Sequence, residues 1–129
     1  MSASLSAGPG RALTAVYGVF ALAASARAGL QLVTRFGEAP VAYLLSAVAA
    51  GVYVLATVAL ARDLRRLAWA AVGVELAGVL VVGTLSQLAP ATFPDQTVWS
   101  GYGSGYGFVP LVLPVLGVAW LRRSGRMSA

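Results

Sequence analysis

No cysteine and no histidine occur in the 129 residues of this chain. Their absence removes thiol nucleophiles, disulfides, thiolate or imidazole metal sites and ordinary histidine-ligated haem. It leaves the redox compartment open. Lysine is missing as well: all nine basic residues are arginine. Charge of either sign is scarce, at 10% of residues against about 25% in an ordinary soluble domain. The four acids, Glu38, Asp63, Glu75 and Asp95, fall in separate segments. No pair of carboxylates converges for acid–base work, and no nucleophile stands beside a base, so an enzyme acting on lipid has no visible machinery. Asp95 alone in its loop is a poor metal site. The expectation is a non-enzymatic protein with no catalytic residues, no cofactor and no metal.

What fills the chain instead is apolar, 59% of it. Apolar runs of about 20 residues recur, each enough to cross a hydrocarbon core of about 30 Å. The runs predict an all-α membrane protein whose four transmembrane helices form one bundle, a single domain over residues 1–129. The spans are expected at about 12–34, 41–61, 67–88 and 107–121. Residues 1–10 are small and polar and are expected to fray. They vaguely resemble a signal peptide, but the apolar run that follows is too long for one and no clear cleavage site follows it, so it reads as a retained first span. Pro40 suits the first turn of the second helix. Pro110 and Pro114, four apart, should kink or unwind the start of the fourth, with neighbouring groups satisfying the freed carbonyls.

The arginines orient the spans. With the N-terminus inside, Arg11, Arg62, Arg65, Arg66, Arg122, Arg123 and Arg126 are cytoplasmic and only Arg35 is outside, a strong positive-inside bias. Trp69 and Trp120 then fall at the inner interface. Phe36, Tyr43, Phe93, Trp99, Tyr102, Tyr106 and Phe108 fall at the outer one, as an aromatic belt requires. Both termini are expected in the cytoplasm and residues 89–106 outside. The net charge of +5 follows from this flanking pattern, which points to lipid headgroups as partners and not to nucleic acid.

Two charges break the apolar pattern. Arg27 and Glu75 lie within the first and third spans, where a charge costs roughly 2.5–3.5 kcal/mol on the insertion scale and marks a functional hypothesis by default. At about 1.5 Å per residue their backbones differ in depth by about 10 Å. Gln31 is one turn outward of Arg27, Ser46 in the second span matches Arg27 in depth, and Tyr53 matches Glu75. Arg27, Gln31, Ser46, Tyr53 and Glu75 thus form a candidate polar network, with Tyr53 as a possible donor to the Glu75 carboxylate. Ala71, Gly78 and Val82 share the face of Glu75. Ala23, Ala24 and Gly18 lie inward of Arg27, and Ala47 and Gly51 are four apart. Such small faces let helices pack closely, so both charges are expected to face protein. The network serves either as a tie that fixes helix register, as a site for protons, ions or a small substrate, or as a contact to another subunit.

The 89–106 segment is the longest stretch expected to be non-helical. Its Ser100-Gly-Tyr-Gly-Ser-Gly-Tyr-Gly107 portion alternates glycine with serine or tyrosine, so an extended chain would carry Tyr102, Ser104 and Tyr106 along one side. The Gly-Tyr-Gly resembles a potassium-channel filter in letters only; the pore-helix context is poorly matched. The lysine of a phosphate loop is lacking. The plain reading is an interfacial loop whose aromatics anchor it, with Trp99, Tyr102 and Tyr106 as candidate partner contacts.

Phe93-Pro-Asp-Gln-Thr-Val-Trp-Ser100, Gly105-Tyr-Gly-Phe-Val-Pro-Leu-Val-Leu-Pro114 and Arg35-Phe-Gly-Glu-Ala-Pro-Val-Ala-Tyr-Leu-Leu-Ser46 together give the chain a resemblance to small four-span integral membrane proteins of actinobacteria. The resemblance covers most of the chain and implies a plasma-membrane location; it implies no activity and no site residues. Small multidrug resistance transporters share the size and span number but carry their essential acid in the first span, where this chain has Arg27. Fluoride channels of similar size lack a motif match. The expected function is a small accessory or structural subunit of a larger membrane complex, or a homo-oligomer; the alternative is a small transporter or channel using Arg27 and Glu75.

Overall fold

The computed structural model describes residues 4–93 and 95–126; residues 1–3 and 127–129, Pro94 of the quoted loop motif, and the side chains of Thr92 and Arg126 lie outside the described residues. Four helices follow one another: α1 (Pro9–Thr34), α2 (Pro40–Ala61), α3 (Arg65–Leu88) and α4 (Val109–Arg126). Short 3₁₀ turns occupy Phe36–Glu38, Pro90–Thr92 and Ser100–Tyr106, and no strand occurs among the described residues. The helices α1, α2 and α3 are long and apolar enough to cross a membrane. The Ser100–Tyr106 turn and Val109–Gly125 meet the same criterion only when taken together, bent by 103°, the geometry of a broken span or of a re-entrant loop.

The boundaries follow local chemistry. Pro9 and Pro40 open α1 and α2 at positions whose N–H would go unbonded. At the end of α2, Leu64 N–H bonds back to the Ala59 carbonyl at 2.8 Å while Asp63 adopts φ 56°. This is the six-to-one closure of a helix C-terminus, with aspartate in the left-handed position that glycine usually takes. The four helical threonines, Thr14 and Thr34 on α1, Thr57 on α2 and Thr84 on α3, all donate their hydroxyls to the carbonyl four residues back. Three of them therefore offer little to neighbouring helices; Thr84 is shared with a loop tyrosine described below.

Buried positions on α1 (Gly10, Leu13, Tyr17, Ala21, Ala24, Ala28, Gln31) recur every three or four residues. Those on α2 do the same through Ala42, Ser46, Ala49, Tyr53, Ala56 and Leu60. Alanine is the commonest residue among them, which lets the α1 and α2 backbones approach closely, and this is the most extensive contact between described elements. The α3 helix packs on α2, on the Ser100–Tyr106 turn and on α4, whereas α1 and α4 touch much less.

Two expectations are corrected. Residues 4–8, expected to fray, form an ordered turn: Leu5 is fully buried, its N–H donates to Asp63 Oδ1 at 3.0 Å, and its carbonyl accepts from Trp120 Nε1 at 2.9 Å. A segment without charge can tuck between helix ends when both backbone groups find partners. Residues 89–106, expected as a non-helical loop, contain the two 3₁₀ turns, and the second turns inward against α3. Sharp reversal there uses left-handed backbone at Gly101, Tyr102 and Gly103 (φ 57°, 59° and 85°). Glycine adopts this freely, whereas Tyr102 must be held in it by its surroundings.

Candidate functional site

Glu75 sits on α3 with no exposed surface. Its Oε2 accepts a 2.8 Å hydrogen bond from the Tyr17 hydroxyl of α1, and its Oε1 has no partner. The α4 helix passes this pair at Gly117, where an added Cβ would lie 3.1 Å from Val72 and 3.2 Å from the Tyr17 hydroxyl. Glycine is the residue that lets α4 cross at that distance. The partner expected from depth, Tyr53, is directed elsewhere: its hydroxyl donates to the Pro110 carbonyl at 3.4 Å. That carbonyl would normally accept the N–H of residue 114, which is Pro114 and has none. Tyr53 therefore supplies a partner for the carbonyl that the proline break in α4 leaves free.

Arg27 is not joined to Glu75. Its side chain is exposed on α1, with the guanidinium 5.1 Å from the centre of the Tyr106 ring. That is within cation–π range. Tyr106 also meets Phe20 edge-on at 5.8 Å, Phe20 meets Tyr53 edge-on at 4.9 Å, and Tyr53 lies 6.2 Å from Tyr17. The two charges thus stand at opposite ends of an aromatic column, Tyr17–Tyr53–Phe20–Tyr106. The physical reason is depth: Tyr17 is ten positions inward of Arg27, about 15 Å along a helix, and Glu75 takes the polar group at its own level.

The remaining members divide between these ends. Ser46 Oγ accepts the Val98 N–H at 3.2 Å and so pins the loop between α3 and α4 to α2. Gln31 is buried at 2% exposure, yet neither side-chain atom of its amide has a hydrogen-bond partner. Arg27 lies within electrostatic reach of Asp95 in the loop between α3 and α4. Tyr43 donates to its Oδ2 at 2.8 Å and the Gln96 N–H to its Oδ1 at 2.8 Å. These two bonds, with Arg35 and Arg27 adding smaller contributions, hold the Asp95 carboxyl below the usual carboxylate range.

The loop aromatics point into the molecule. Thr97 and Ser100 bond reciprocally, with Thr97 N–H on Ser100 Oγ at 2.9 Å and Ser100 N–H on Thr97 Oγ1 at 3.0 Å. This knot places Trp99 under the loop at 4% exposure, its ring against Gly78, where a Cβ would come within 2.7 Å of ring atoms. Trp99 Nε1 makes no hydrogen bond of ordinary geometry, although the Tyr53 hydroxyl lies close enough to interact with it. Gly101 N–H donates to Ser86 Oγ at 2.9 Å, and the Tyr102 hydroxyl shares a 3.0 Å bond with Thr84 while its ring covers Gly83. Sequence reasoning missed Tyr17, Asp95 and Phe20 as members of these assemblies. Tyr17 was accessible from depth alone, since it falls in the inner half of its span as Glu75 does. Asp95 was not, because its place depends on how the loop folds back. No protein-family model, curated protein or solved structure matches the chain.

Proposed function

We propose that this protein is a non-catalytic integral membrane protein of the plasma membrane, a bundle of four spans with both termini cytoplasmic, that serves as a small structural or accessory subunit of a larger membrane complex or assembles with copies of itself. The observation that carries the reading is the packing between the two intramembrane charges. Aromatic rings fill the path from Glu75 to Arg27, and Phe20 interrupts any chain of hydrogen bonds along it. Such a seam holds helices together and offers an ion or a proton no polar route. The outward character of α1 supports assembly: 22% of its spanning window is buried, against 39% in α2 and in α3. Its exposed positions include Ala12, Ala15, Ala23 and Ala26, the small residues that helix contacts in a membrane favour.

A transporter or channel working through Glu75 is the second reading, and the unpartnered buried Oε1 of Glu75 is what favours it. One preparation separates the two. The protein is extracted gently from its native membrane, and the mass and composition of the particle are measured. A stoichiometric larger partner, or a defined oligomer that is silent in liposomes, supports the subunit reading. A lone particle that conducts or exchanges a solute, with the flux abolished in Glu75→Gln, overturns it.

A further inference from the structure

A groove of about 370 Å³ runs along the outside of the molecule between α1 and α4. Its walls are Pro9, Ala12, Leu13 and Val16 on one side and Leu113, Leu116, Ala119 and Trp120 on the other, all apolar except at the end, where Arg123 closes the lining. A second groove shares Val16 and continues past Val19 and Phe20 to Ala23 and Val109. The groove exists for a local reason. At its base α1 and α4 are clamped: Gly10 lies directly on the Trp120 indole, whose N–H is tied to the Leu5 carbonyl. Above the clamp, alanines at 12 and 119 leave the two helices without side chains long enough to meet.

We propose that this groove binds one anionic phospholipid, with an acyl chain along α1 and α4 and the phosphate on Arg123. Length fits the occupant. Pro9 to Val16 covers about 10 Å of helix and Pro9 to Ala23 about 21 Å, against roughly 15 Å for half of a hydrocarbon core of about 30 Å. Charge fits it as well. The nearby acid, Asp63, is engaged by the Leu5 N–H, and Arg65 is engaged by the Leu121 carbonyl and the Ser124 hydroxyl, each at 3.1 Å. Arg123 is exposed at the groove mouth beside exposed Arg122, with exposed Arg11 on the first turn of α1. A phosphate placed there meets exposed arginines, and the nearby acid among the described residues, Asp63, turns one carboxylate oxygen to the Leu5 N–H. The aliphatic part of the Arg123 side chain lies along the apolar wall while its head reaches the headgroup level, the ordinary behaviour of arginine at an interface. The inference rests on membrane insertion and on the groove lying outside any subunit contact: a particle whose partner sits on another face can hold or lack this lipid.

The test is native mass spectrometry of the full chain in detergent, titrated with phosphatidylglycerol or phosphatidylcholine of the same chains. Wild type is expected to retain a single phosphatidylglycerol in preference to phosphatidylcholine. Arg123→Gln should lower that retention about fivefold, the share of one basic residue near an anionic lipid. Ala119→Leu, which fills the groove without touching charge, should lower retention of both lipids. Arg66→Gln, an exposed arginine outside the groove, should change nothing, and Arg123→Lys should restore the preference. Circular dichroism confirms that each variant is folded, and Arg123→Lys keeps the test intact if Ala119→Leu fails to fold. Three results overturn the proposal: equal retention of the two lipids by wild type, an equal effect of Arg123→Gln and Arg66→Gln, or a lipid-free dimer cross-linked through Ala12→Cys, which would mean that a second copy fills the groove.

Discussion

Single residues decide how the buried acid is tolerated. Glu75 has one hydrogen bond where a carboxylate accepts several, and Tyr17 provides it. Tyr17→Phe is expected to lower stability by about 1–3 kcal/mol, because it leaves the acid without a partner. In the Glu75→Gln background the same change should cost less, and a double-mutant cycle in detergent melts measures the coupling. Glu75→Gln keeps an acceptor for Tyr17 and should fold normally, whereas Glu75→Leu strands the Tyr17 hydroxyl and should be less stable. Equal stability of both variants with wild type would defeat the idea that Glu75 ties α1 to α3. Asp95 makes a pH-dependent contribution of opposite exposure. Its folded pKa is depressed, chiefly by the Tyr43 hydroxyl. The stability it confers is therefore complete above the ordinary carboxylate range and is lost as pH falls through the lower folded value. Wild type should exceed Asp95→Asn in melting temperature at neutral pH and converge with it in acid; a constant gap across the titration would rule this out. The sequence made Glu75 legible as an intramembrane acid because a charge in an apolar run needs no tertiary knowledge. Its partner was hidden because a tyrosine in an apolar run is read first as bulk, and the choice between Tyr17 and Tyr53 turned on Pro114, which claims Tyr53 for a backbone carbonyl.

At the scale of elements, helix positions were legible from the apolar runs, and some of their ends from Pro40 and the arginine-rich turn at 62–66; the start of α1 at Pro9 was not, since residues 1–10 read as a fraying end. The inward fold of residues 97–106 was not, because glycine and serine spacing says that a chain is free to turn and not which way. The direction is set by complementary gaps on α3. Gly78 receives the Trp99 ring and Gly83 the Tyr102 ring. Gly78→Ala and Gly83→Ala should each cost about 1–3 kcal/mol by overpacking and should release the loop, seen as a red shift of Trp99 emission and faster proteolysis at residues 95–105. Gly51→Ala and Gly73→Ala meet nothing within 4 Å and should be neutral or stabilise by up to about 1 kcal/mol through helix propensity. If the first pair behaved like the second, the loop would not be docked on α3. The proline break in α4 gives a second expectation at this scale. Tyr53→Phe should cost about 1 kcal/mol in wild type and less in Pro114→Ala, where a restored N–H at residue 114 satisfies the Pro110 carbonyl.

For the whole molecule, the arginine distribution makes a prediction that the absence of native cysteine renders easy to read. Ser104→Cys should react with a membrane-impermeant maleimide in intact cells, and Ala61→Cys, at the turn bearing Arg62, Arg65 and Arg66, only after lysis. The reverse pattern would invert the topology. The 103° bend ahead of α4 also bears on where such a protein resides. From Val109 to Leu121, before Arg122 and Arg123, the apolar part of α4 is about 20 Å long. That is well short of a hydrocarbon core of about 30 Å. The turn that precedes it runs at a sharp angle to α4 and packs on α3, so it adds little length along the α4 axis. If α4 is the proposed fourth span, lipid beside it has to thin to meet the protein, and the molecule should then be more stable in short-chain bilayers and gather where a membrane is already thin.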